Sequence, residues 1–163
     1  MIFVTVGTHE QQFNRLIKCV DELKGNGIIN EDVVIQSGYS DCTINNCEYK
    51  MLFSFEEVAD YFKKARIIIT HGGPSSIIQA LQDGKIPIVV PRLKKYGEHI
   101  NNHQLSFCRA VNERYNNIVL VEETEELKDA ILNYDELSKS RKAAGFRNNE
   151  AFVAGLGKIV EEL

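Results

Sequence analysis

The chain has 163 residues, 44% hydrophobic and 26% charged, so it is long enough to bury a core and has the composition of one globular domain. Its formal net charge of -4 at pH 7 gives no electrostatic reason to expect a nucleic acid as the main partner. No apolar run approaches the roughly 18 residues of a membrane-spanning helix, and MIFVTVG has no basic region ahead of it, which predicts no secretory signal.

Short apolar runs alternate with helical patterns along the chain. MIFVTV predicts a buried strand, and FNRLIKCVDELK places its apolar residues on one face of a helix that Gly25 and Gly27 end. In chain order there follow the strands DVVIQSG and YKMLFSF, the helix EEVADYFKKA, the strand RIIIT, the helix PSSIIQALQD and the strand IPIVVP. The polar loop RLKKYGEHIN then leads to the helix NHQLSFCRAVNERY, the strand NIVLVE, the helix TEELKDAILNY and a helical segment from Asp135.

This alternation is typical of a parallel sheet with helices on both faces. We therefore predict an α/β fold, a Rossmann-like, doubly wound and mainly parallel sheet, in a single domain over residues 1–163. Ligands bind such sheets at the carboxyl ends of the strands. The loops to consider are therefore those that begin at Gly7, Ser37, His71 and Pro91.

Four cysteines raise the question of a metal or a disulfide. Cys19 and Cys108 lie in apolar helical patterns, where cysteine usually behaves as a small hydrophobic residue. Cys42 and Cys47 have no second pair at a zinc-binding spacing. We expect four free thiols and no metal site.

The turn HGGPSS, which joins the strand RIIIT to a helix, has residue types that favour an anion. Its two glycines let the backbone approach a ligand without a Cβ in the way, and Pro74 suits the first helical position. The next N–H groups are then free at the positive end of the helix dipole. The alternative is that the serines only cap the helix and the histidine is bonded internally. The predicted phosphate site comprises His71, Gly72, Gly73, Ser75 and Ser76.

Gln79 lies one helical turn behind these serines, on the same face of the helix. A hydrogen-bonding side chain there is well placed for the ribose of a nucleotide. The chain has no Gly-x-x-x-x-Gly-Lys-Ser/Thr motif, which excludes a P-loop, and no Gly-x-Gly-x-x-Gly after its first strand, which argues against a dinucleotide.

Four stretches, FVTVGTHEQQFNRL, SFEEVADYFKKARIIITHGGPSSIIQAL, GKIPIVVPR and GEHINNHQ, together resemble the C-terminal, donor-binding half of GT-B glycosyltransferases, of the family 28 C-terminal-domain type. The chain is most similar to small stand-alone versions. These are the catalytic subunits of bacterial two-component transferases of exopolysaccharide and capsule synthesis, and the nucleotide-sugar-binding subunit of the eukaryotic N-glycan GlcNAc transferase. The resemblance runs from Met1 to about Leu120 and implies half of a GT-B fold.

The resemblance also implies roles for single residues. Gly7 and Thr8 would lie beside the diphosphate with the HGGPSS turn, and the backbone of Phe55 would contact uracil. Gln79 would contact the ribose at a position where the family usually has a glutamate. The sugar-binding residues would be Glu98, His99, Asn102 and Gln104, and residues 102–104 would also anchor that loop. On chemical grounds the candidate catalytic residues are His71 and His9. For His9 a structural role is the alternative, and Arg92 would be either an added cation or a solvated surface residue.

The function implied is that of the donor-binding, catalytic subunit of a two-component transferase. It would move a hexose, with β-1,4-galactosyl transfer as the leading expectation, from a UDP-sugar to a lipid-linked saccharide in exopolysaccharide or capsule synthesis. A helix N-terminus and an imidazole can stabilise departing UDP, so no metal and no cofactor beyond the donor substrate is expected.

The resemblance also implies a partner, because a GT-B enzyme takes its acceptor site from a second half that this chain cannot contain. We expect a membrane-anchored, acceptor-binding subunit that holds the chain at the cytoplasmic, inner face of the membrane. A homo-oligomer is the alternative assembly for the isolated chain. Apolar residues of the C-terminal segment 135–163 either complete the core or dock on that partner; they are Phe146, Phe152, Val153, Leu156, Ile159, Val160 and Leu163.

Two other functions compete with this one. The first is a non-catalytic subunit that binds a nucleotide-sugar or stabilises a partner, and Gln79 in place of glutamate favours it. The second is a UDP-sugar epimerase, which needs both halves of the cleft in one chain and is therefore disfavoured by the length of 163 residues.

Overall fold

The computed structural model describes residues 1–141 and 149–162, and of residues 149–153 the backbone only. The strands are β1 (Ile2–Thr5), β2 (Val33–Gln36), β3 (Glu48–Lys50), β4 (Ile67–His71), β5 (Ile88–Val90) and β6 (Val119–Leu120). They form one sheet in the order β3-β2-β1-β4-β5-β6, and all five neighbouring pairs are parallel. The predicted α/β fold with a parallel sheet is thereby confirmed.

Helices follow nearly every strand. Within the described residues they are α1 (Asn14–Gly25), α2 (Phe55–Lys64), α3 (Pro74–Gln82), α4 (His103–Tyr115), α5 (Leu127–Leu132), α6 (Tyr134–Lys139) and α7 (Asn149–Glu162). Two short 3-10 turns, Lys94–Tyr96 and Thr124–Glu126, complete the set in the same part of the chain.

The sheet is buried on both faces, which explains why its central strands are continuous apolar runs. Successive residues of β1 alternate between the faces: Ile2 and Val4 belong to the larger core cluster, and Phe3 belongs to the smaller one. In the smaller cluster Phe3 meets Phe62 of α2, with the ring centroids 5.7 Å apart. Helices therefore cover both faces, as the alternation predicted.

The position of β1 in the sheet decides where a ligand can bind. This strand pairs with β2 on one side and β4 on the other, so Thr5 lies level with Gln36 and with Thr70. The chain order of the strands therefore reverses direction at β1. Such a switch leaves a crevice between the loops at the carboxyl ends of the strands.

Two predicted elements differ from the structure. The strand predicted at YKMLFSF is the edge strand Glu48–Lys50, and the apolar residues Met51 and Leu52 that suggested a longer strand are exposed. The helix predicted at TEELKDAILNY is divided into a 3-10 turn, α5 and the start of α6. Here Tyr134 begins a new helix, and its buried hydroxyl donates to the carbonyl of Ile86 at 2.8 Å.

The C-terminal helix α7 packs on α4 through part of its apolar set. Leu156 and Ile159 are buried in the larger core cluster, whereas Val160 is 52% exposed. Gly155 permits the close approach, since a Cβ there would lie 2.3 Å from the hydroxyl of Tyr115. Core packing thus accounts for two of the predicted apolar residues. Phe146 and Leu163, and the side chains of Phe152 and Val153, lie outside the described residues.

Among the described helices there is none with the length and apolar character that crossing a bilayer requires.

Candidate functional site

A cleft of about 450 Å³ opens at the carboxyl ends of β1, β2 and β4. It lies at the position where the strand order reverses, as expected for a doubly wound sheet. One wall is the turn after β1, the opposite wall is the start of α3, and one end is formed by the loop before α2. The lining residues are Thr5, Gly7, Thr8, Gln36, Phe53, Phe55, Val58, Phe62, His71, Gly73, Pro74, Ser75 and Ser76.

The cleft brings together seven of the residues named from the sequence: Gly7, Thr8, Phe55, His71, Gly73, Ser75 and Ser76. It also contains residues that were not predicted from the sequence, chiefly Thr5, Gln36 and Phe53. A signal for two of them was present, because Thr5 and Gln36 are single polar residues at the ends of otherwise apolar strands. In a parallel sheet such an end faces the binding edge.

His71 lies between two glycine turns, and its ring fills the space that their missing side chains leave. A Cβ on Gly73 would lie 2.2 Å from His71 Nε2, and a Cβ on Gly7 would lie 2.6 Å from His71 Cε1. Gly7 also has a φ of +74°, which side chains rarely adopt. Both positions therefore require glycine to keep the imidazole in the wall of the cleft.

The N-terminus of α3 has no side-chain cap, and Pro74 occupies its first turn. The helix α2 differs, because Ser54 and Glu57 form a complete capping box at its start. The serines Ser75 and Ser76 line the cleft rather than cap their own helix, which disagrees with the alternative that they only cap it. The open N–H groups of α3 can therefore bind an anion in the cleft.

Gly72 has a different role from its neighbour Gly73. It is buried, and its N–H donates to Gln104 Oε1 at 3.0 Å, so that N–H is already satisfied. A Cβ on Gly72 would lie 2.8 Å from Cys108 Sγ of α4. The structure thus corrects the expectation that Gly72 contacts the diphosphate: this glycine allows α4 to pack closely on the turn.

The charge state of His71 follows from its surroundings. Burial, the charge of Arg92 and the charge of His9 lower the pKa of His71 to about 4, against a weaker opposing effect of the Thr5 backbone. The ring is therefore neutral at pH 7. The neutral ring has a single N–H, and this N–H is on Nε2, where a phosphate oxygen can accept it, when the Thr70 hydroxyl, 3.3 Å from Nδ1, donates to Nδ1.

Arg92 is fully buried and is neither a solvated surface residue nor a lining residue of the cleft. Burial lowers its pKa to about 10, so it keeps its charge at pH 7. Its guanidinium donates to four backbone carbonyls, those of Val6, Gln11, Gln12 and Glu98. Arg92 therefore holds the turn after β1 and places a positive charge behind it.

Glu98 disagrees with the sugar-binding role that the resemblance implied. Its carboxylate is fully buried and receives two hydrogen bonds from Arg15, at 2.9 and 3.0 Å, and one from the N–H of Leu93 at 2.9 Å. A carboxylate so occupied is not available to sugar hydroxyls. The structure instead makes Glu98 the anchor of the loop after β5.

The other residues assigned to the sugar form a second group outside the cleft lining. Gln104 Oε1 accepts from the N–H groups of Gly72 and Arg92, and Asn102 Oδ1 accepts from that of Lys94. The ring of His99 lies against that of His9, with their centroids 4.9 Å apart and their planes 73° apart. Gln104 and Asn102 thus anchor loops, while the two histidines are half-buried neighbours.

Phe55 and Gln79 are the residues expected at the base and at the ribose of a nucleotide. Phe55 lines the cleft with 80% of its surface exposed, at the first position of α2. Gln79 is half-buried on α3 and is not among the lining residues, so its expected contact with a ribose is not shown by this arrangement.

The comparison with known proteins agrees with this geometry. A family model described as the glycosyltransferase family 28 C-terminal domain matches residues 1–159, which include every residue of the cleft. No match was found among curated proteins.

Proposed function

Because the chain belongs to the glycosyltransferase family 28 C-terminal domain family, whose role is to bind a nucleotide-sugar, we propose that the cleft binds a UDP-sugar as the donor of a transfer reaction. The observation that carries this proposal is the open N-terminus of α3 beside His71. It offers unsatisfied N–H groups at one end of a cleft whose other end is formed by Phe53 and Phe55. A diphosphate at the first end and a base at the second fit this arrangement.

The residues of the cleft would then assist the departure of UDP. Negative charge grows on the diphosphate as the bond to the sugar breaks, and fixed donors aimed at it lower the barrier. The N–H groups of α3 and the hydroxyls of Ser75 and Ser76 supply such donors, and neutral His71 supplies an imidazole N–H. The buried charge of Arg92 adds a favourable potential without touching the ligand. No step in this scheme requires a metal.

The finer proposal is a two-component hexosyltransferase. The chain would be the catalytic, donor-binding subunit, and a membrane-anchored partner would bring a lipid-linked saccharide in exopolysaccharide or capsule synthesis. The support is the resemblance to small stand-alone donor halves, and β-1,4-galactosyl transfer comes from the same source. His9 and His99, adjacent at the same edge of the sheet, are the side chains that we assign to the sugar and acceptor side.

The first test is calorimetry of the purified chain with UDP, UDP-galactose, UDP-glucose, UDP-GlcNAc and NAD in EDTA. We expect the UDP compounds to bind and NAD not to bind, and the order among the sugars identifies the donor. Ser75→Ala should weaken UDP binding by about 1–3 kcal/mol, the usual cost of removing a partner from a charged group. Ser106→Ala, an exposed serine of α4, is the matched control. Equal UDP affinity in all three proteins would contradict the assignment.

The two-component proposal needs its own experiment. The isolated chain should bind UDP-sugar yet transfer little sugar to a lipid-linked acceptor until the acceptor-binding subunit is added. Full turnover by the chain alone would contradict the need for a partner.

One observation favours a second function, that of a non-catalytic subunit which binds a nucleotide-sugar. The family usually has a glutamate where this chain has Gln79, and that uncharged side chain is not among the residues that line the cleft. Gln79→Glu decides between the two. If it raises the affinity for UDP and turnover in the complex together, the site is catalytic, whereas tighter binding in a complex that shows no transfer identifies a binding subunit.

A further inference from the structure

Two polar residues in the floor of the cleft have no part in the function proposed above. Thr5 ends β1 and Gln36 ends β2, and only 2% and 5% of their surfaces are exposed. They lie level with each other in the parallel pairing of the two strands. A threonine hydroxyl and a glutamine amide so deeply buried must be hydrogen-bonded, or they would destabilise the fold.

Their partners belong to two different parts of the cleft lining, the turn after β1 and the loop before α2. Thr5 Oγ1 accepts from the N–H of Gly7 at 3.2 Å and from Gln36 Nε2 at 3.0 Å. Gln36 Oε1 accepts from the N–H of Phe53 at 3.1 Å. A continuous series of three hydrogen bonds therefore joins the glycine turn beside His71 to the loop before α2.

The series has a defined direction. Both lone pairs of the Thr5 hydroxyl are used, and the N–H of Phe53 requires the amide oxygen of Gln36. The amide of Gln36 can therefore take only one orientation, with its nitrogen toward Thr5. An apolar residue in place of Thr5 leaves the buried Gln36 Nε2 and the half-buried N–H of Gly7 without this partner, and one in place of Gln36 does the same to the half-buried N–H of Phe53.

We propose that Thr5 and Gln36 act as a positioning pair, which fixes the separation between the diphosphate end of the cleft and its base end. This inference rests on the proposed function for the identity of those two ends. The pair makes the cleft selective for a ligand whose base and diphosphate have that fixed separation. It also couples the glycine turn to the base loop, so that loosening one end loosens the other.

The coupling can be measured without any ligand. Thr5→Val removes the hydroxyl, and Gln36→Met removes the amide while keeping a long unbranched side chain. We expect amide hydrogen exchange to become about tenfold faster at the far end of the series in each variant. That end is the N–H of Phe53 in Thr5→Val and the N–H of Gly7 in Gln36→Met, and it exchanges faster because the pair no longer orders it. Thr5→Ser keeps the hydroxyl and should retain slow exchange at Phe53. Unchanged exchange at both far ends would overturn the proposal.

The selectivity is tested with two ligands, UDP, which spans both ends, and inorganic pyrophosphate, which occupies one. We expect the ratio of their affinities to fall about tenfold in Thr5→Val and in Gln36→Met and to be kept in Thr5→Ser. If the pair had only a structural role, its loss would weaken the binding of UDP and of pyrophosphate equally. An unchanged ratio of the two affinities would therefore overturn the positioning role. If one variant does not fold, the other gives the same measurement. If the parent chain does not bind UDP, the proposed function fails, and the exchange experiment still decides the coupling.

Discussion

At the scale of the residue, the site is defined as much by missing side chains as by present ones. The His71 imidazole occupies space that a Cβ on Gly7 or Gly73 would take. That confinement removes water from the ring, and the nearby charge of Arg92 acts in the same direction, so the ring stays neutral. A neutral ring in a positive environment can donate one hydrogen bond to an anion, but it does not contribute a full charge.

Replacing Gly73 tests this confinement. The φ of Gly73 is -76°, so alanine fits the backbone there, yet its Cβ would lie 2.2 Å from His71 Nε2. We expect Gly73→Ala to displace the ring and to weaken UDP binding at least tenfold in calorimetry. Gly157→Ala is the control, since nothing lies within 4 Å of a Cβ at that position. UDP affinity equal to that of the control would show that the position of the ring is unimportant.

The lowered pKa of His71 predicts how stability changes with pH. Between pH 4 and 6.5 the unfolded chain binds a proton at His71 that the folded chain rejects, because the pKa falls from 6.5 to about 4 on folding. Stability from this residue is therefore complete above about pH 6.5 and is lost as the pH falls. When the pH is lowered from 7.5 to 5, the free energy of unfolding measured in urea should fall by about 2 kcal/mol less in His71→Gln than in the parent.

The control for this experiment is His103→Gln, because His103 is an exposed residue of α4. As the pH is lowered, the free energy of unfolding of His103→Gln should fall as that of the parent does. A pKa near 6.5 for His71, measured by NMR in the folded chain, would contradict the prediction directly.

At the scale of the element, α2 and α3 show two uses of a helix N-terminus. In α2 the side chains of Ser54 and Glu57 satisfy the first N–H groups, and in α3 no side chain does so. The first arrangement stabilises the helix, and the second leaves donors for a ligand. The serines Ser54 and Ser75, both near a helix start, should therefore behave in opposite ways when replaced.

The prediction pairs two alanine substitutions. Ser54→Ala should lower the free energy of unfolding by about 1 kcal/mol, because it removes a cap. Ser75→Ala should leave stability within about 0.5 kcal/mol of the parent, as for a surface site, and weaken UDP binding instead. Urea unfolding and calorimetry of both variants check this crossed pattern. A large loss of stability in Ser75→Ala would assign that serine to the helix rather than to a ligand.

The sequence predicted the sheet well, because buried parallel strands are continuous apolar runs that no other element of this chain imitates. The bounds of β3 were predicted wrongly, because β3 is an exposed edge strand and hydrophobicity does not indicate where such a strand ends. Tyr49 within it is 55% exposed, and Met51 just after it is 47% exposed. The division between α5 and α6 was also missed, where Tyr134 donates a hydrogen bond to Ile86, 48 residues earlier in the chain.

The site was predictable where local backbone chemistry determines it. Two glycines and a proline between a strand and a helix favour an anion site, and the structure places His71 and residues 73–76 of that turn in the lining of the cleft. The role of Glu98 was not predictable, because its partner Arg15 is 83 residues away in the chain. Thr5 and Gln36 had a signal, as single polar residues at the ends of apolar strands, but their hydrogen bonds to each other and to Phe53 depend on contacts across strands.

At the scale of the whole molecule, a charged network ties the loops at the carboxyl edge of the sheet. Arg15 of α1 pairs with Glu98 of the loop after β5 and also donates to the carbonyls of Pro91 and Glu122. Arg92 joins the same loop to the turn after β1. Arg15 and Arg92 therefore connect α1 and the turn after β1 with the loops after β5 and β6, at the edge of the sheet that carries the candidate site.

Glu98→Gln tests this network. The substitution keeps the shape but leaves Arg15, which is 12% exposed, without its charged partner, so we expect a loss of roughly 3 kcal/mol in the free energy of unfolding. Asp60→Asn, which breaks the exposed pair of Asp60 with Lys64, should cost at most about 0.5 kcal/mol. The choice between UDP-galactose and UDP-glucose should not change in Glu98→Gln, and a reversed preference would restore its role in reading the sugar.

The central place of β1 has a consequence for the order of folding. This strand comes first in the chain but pairs with β2 and β4, and Ile2 lies opposite Ile67. During synthesis at about 5–20 residues per second, roughly 3–13 s pass between β1 and the end of β4. An apolar strand without its neighbours is prone to mispairing and to capture by chaperones. The strand that carries the first glycine turn of the site is therefore the one that waits longest for its final partner.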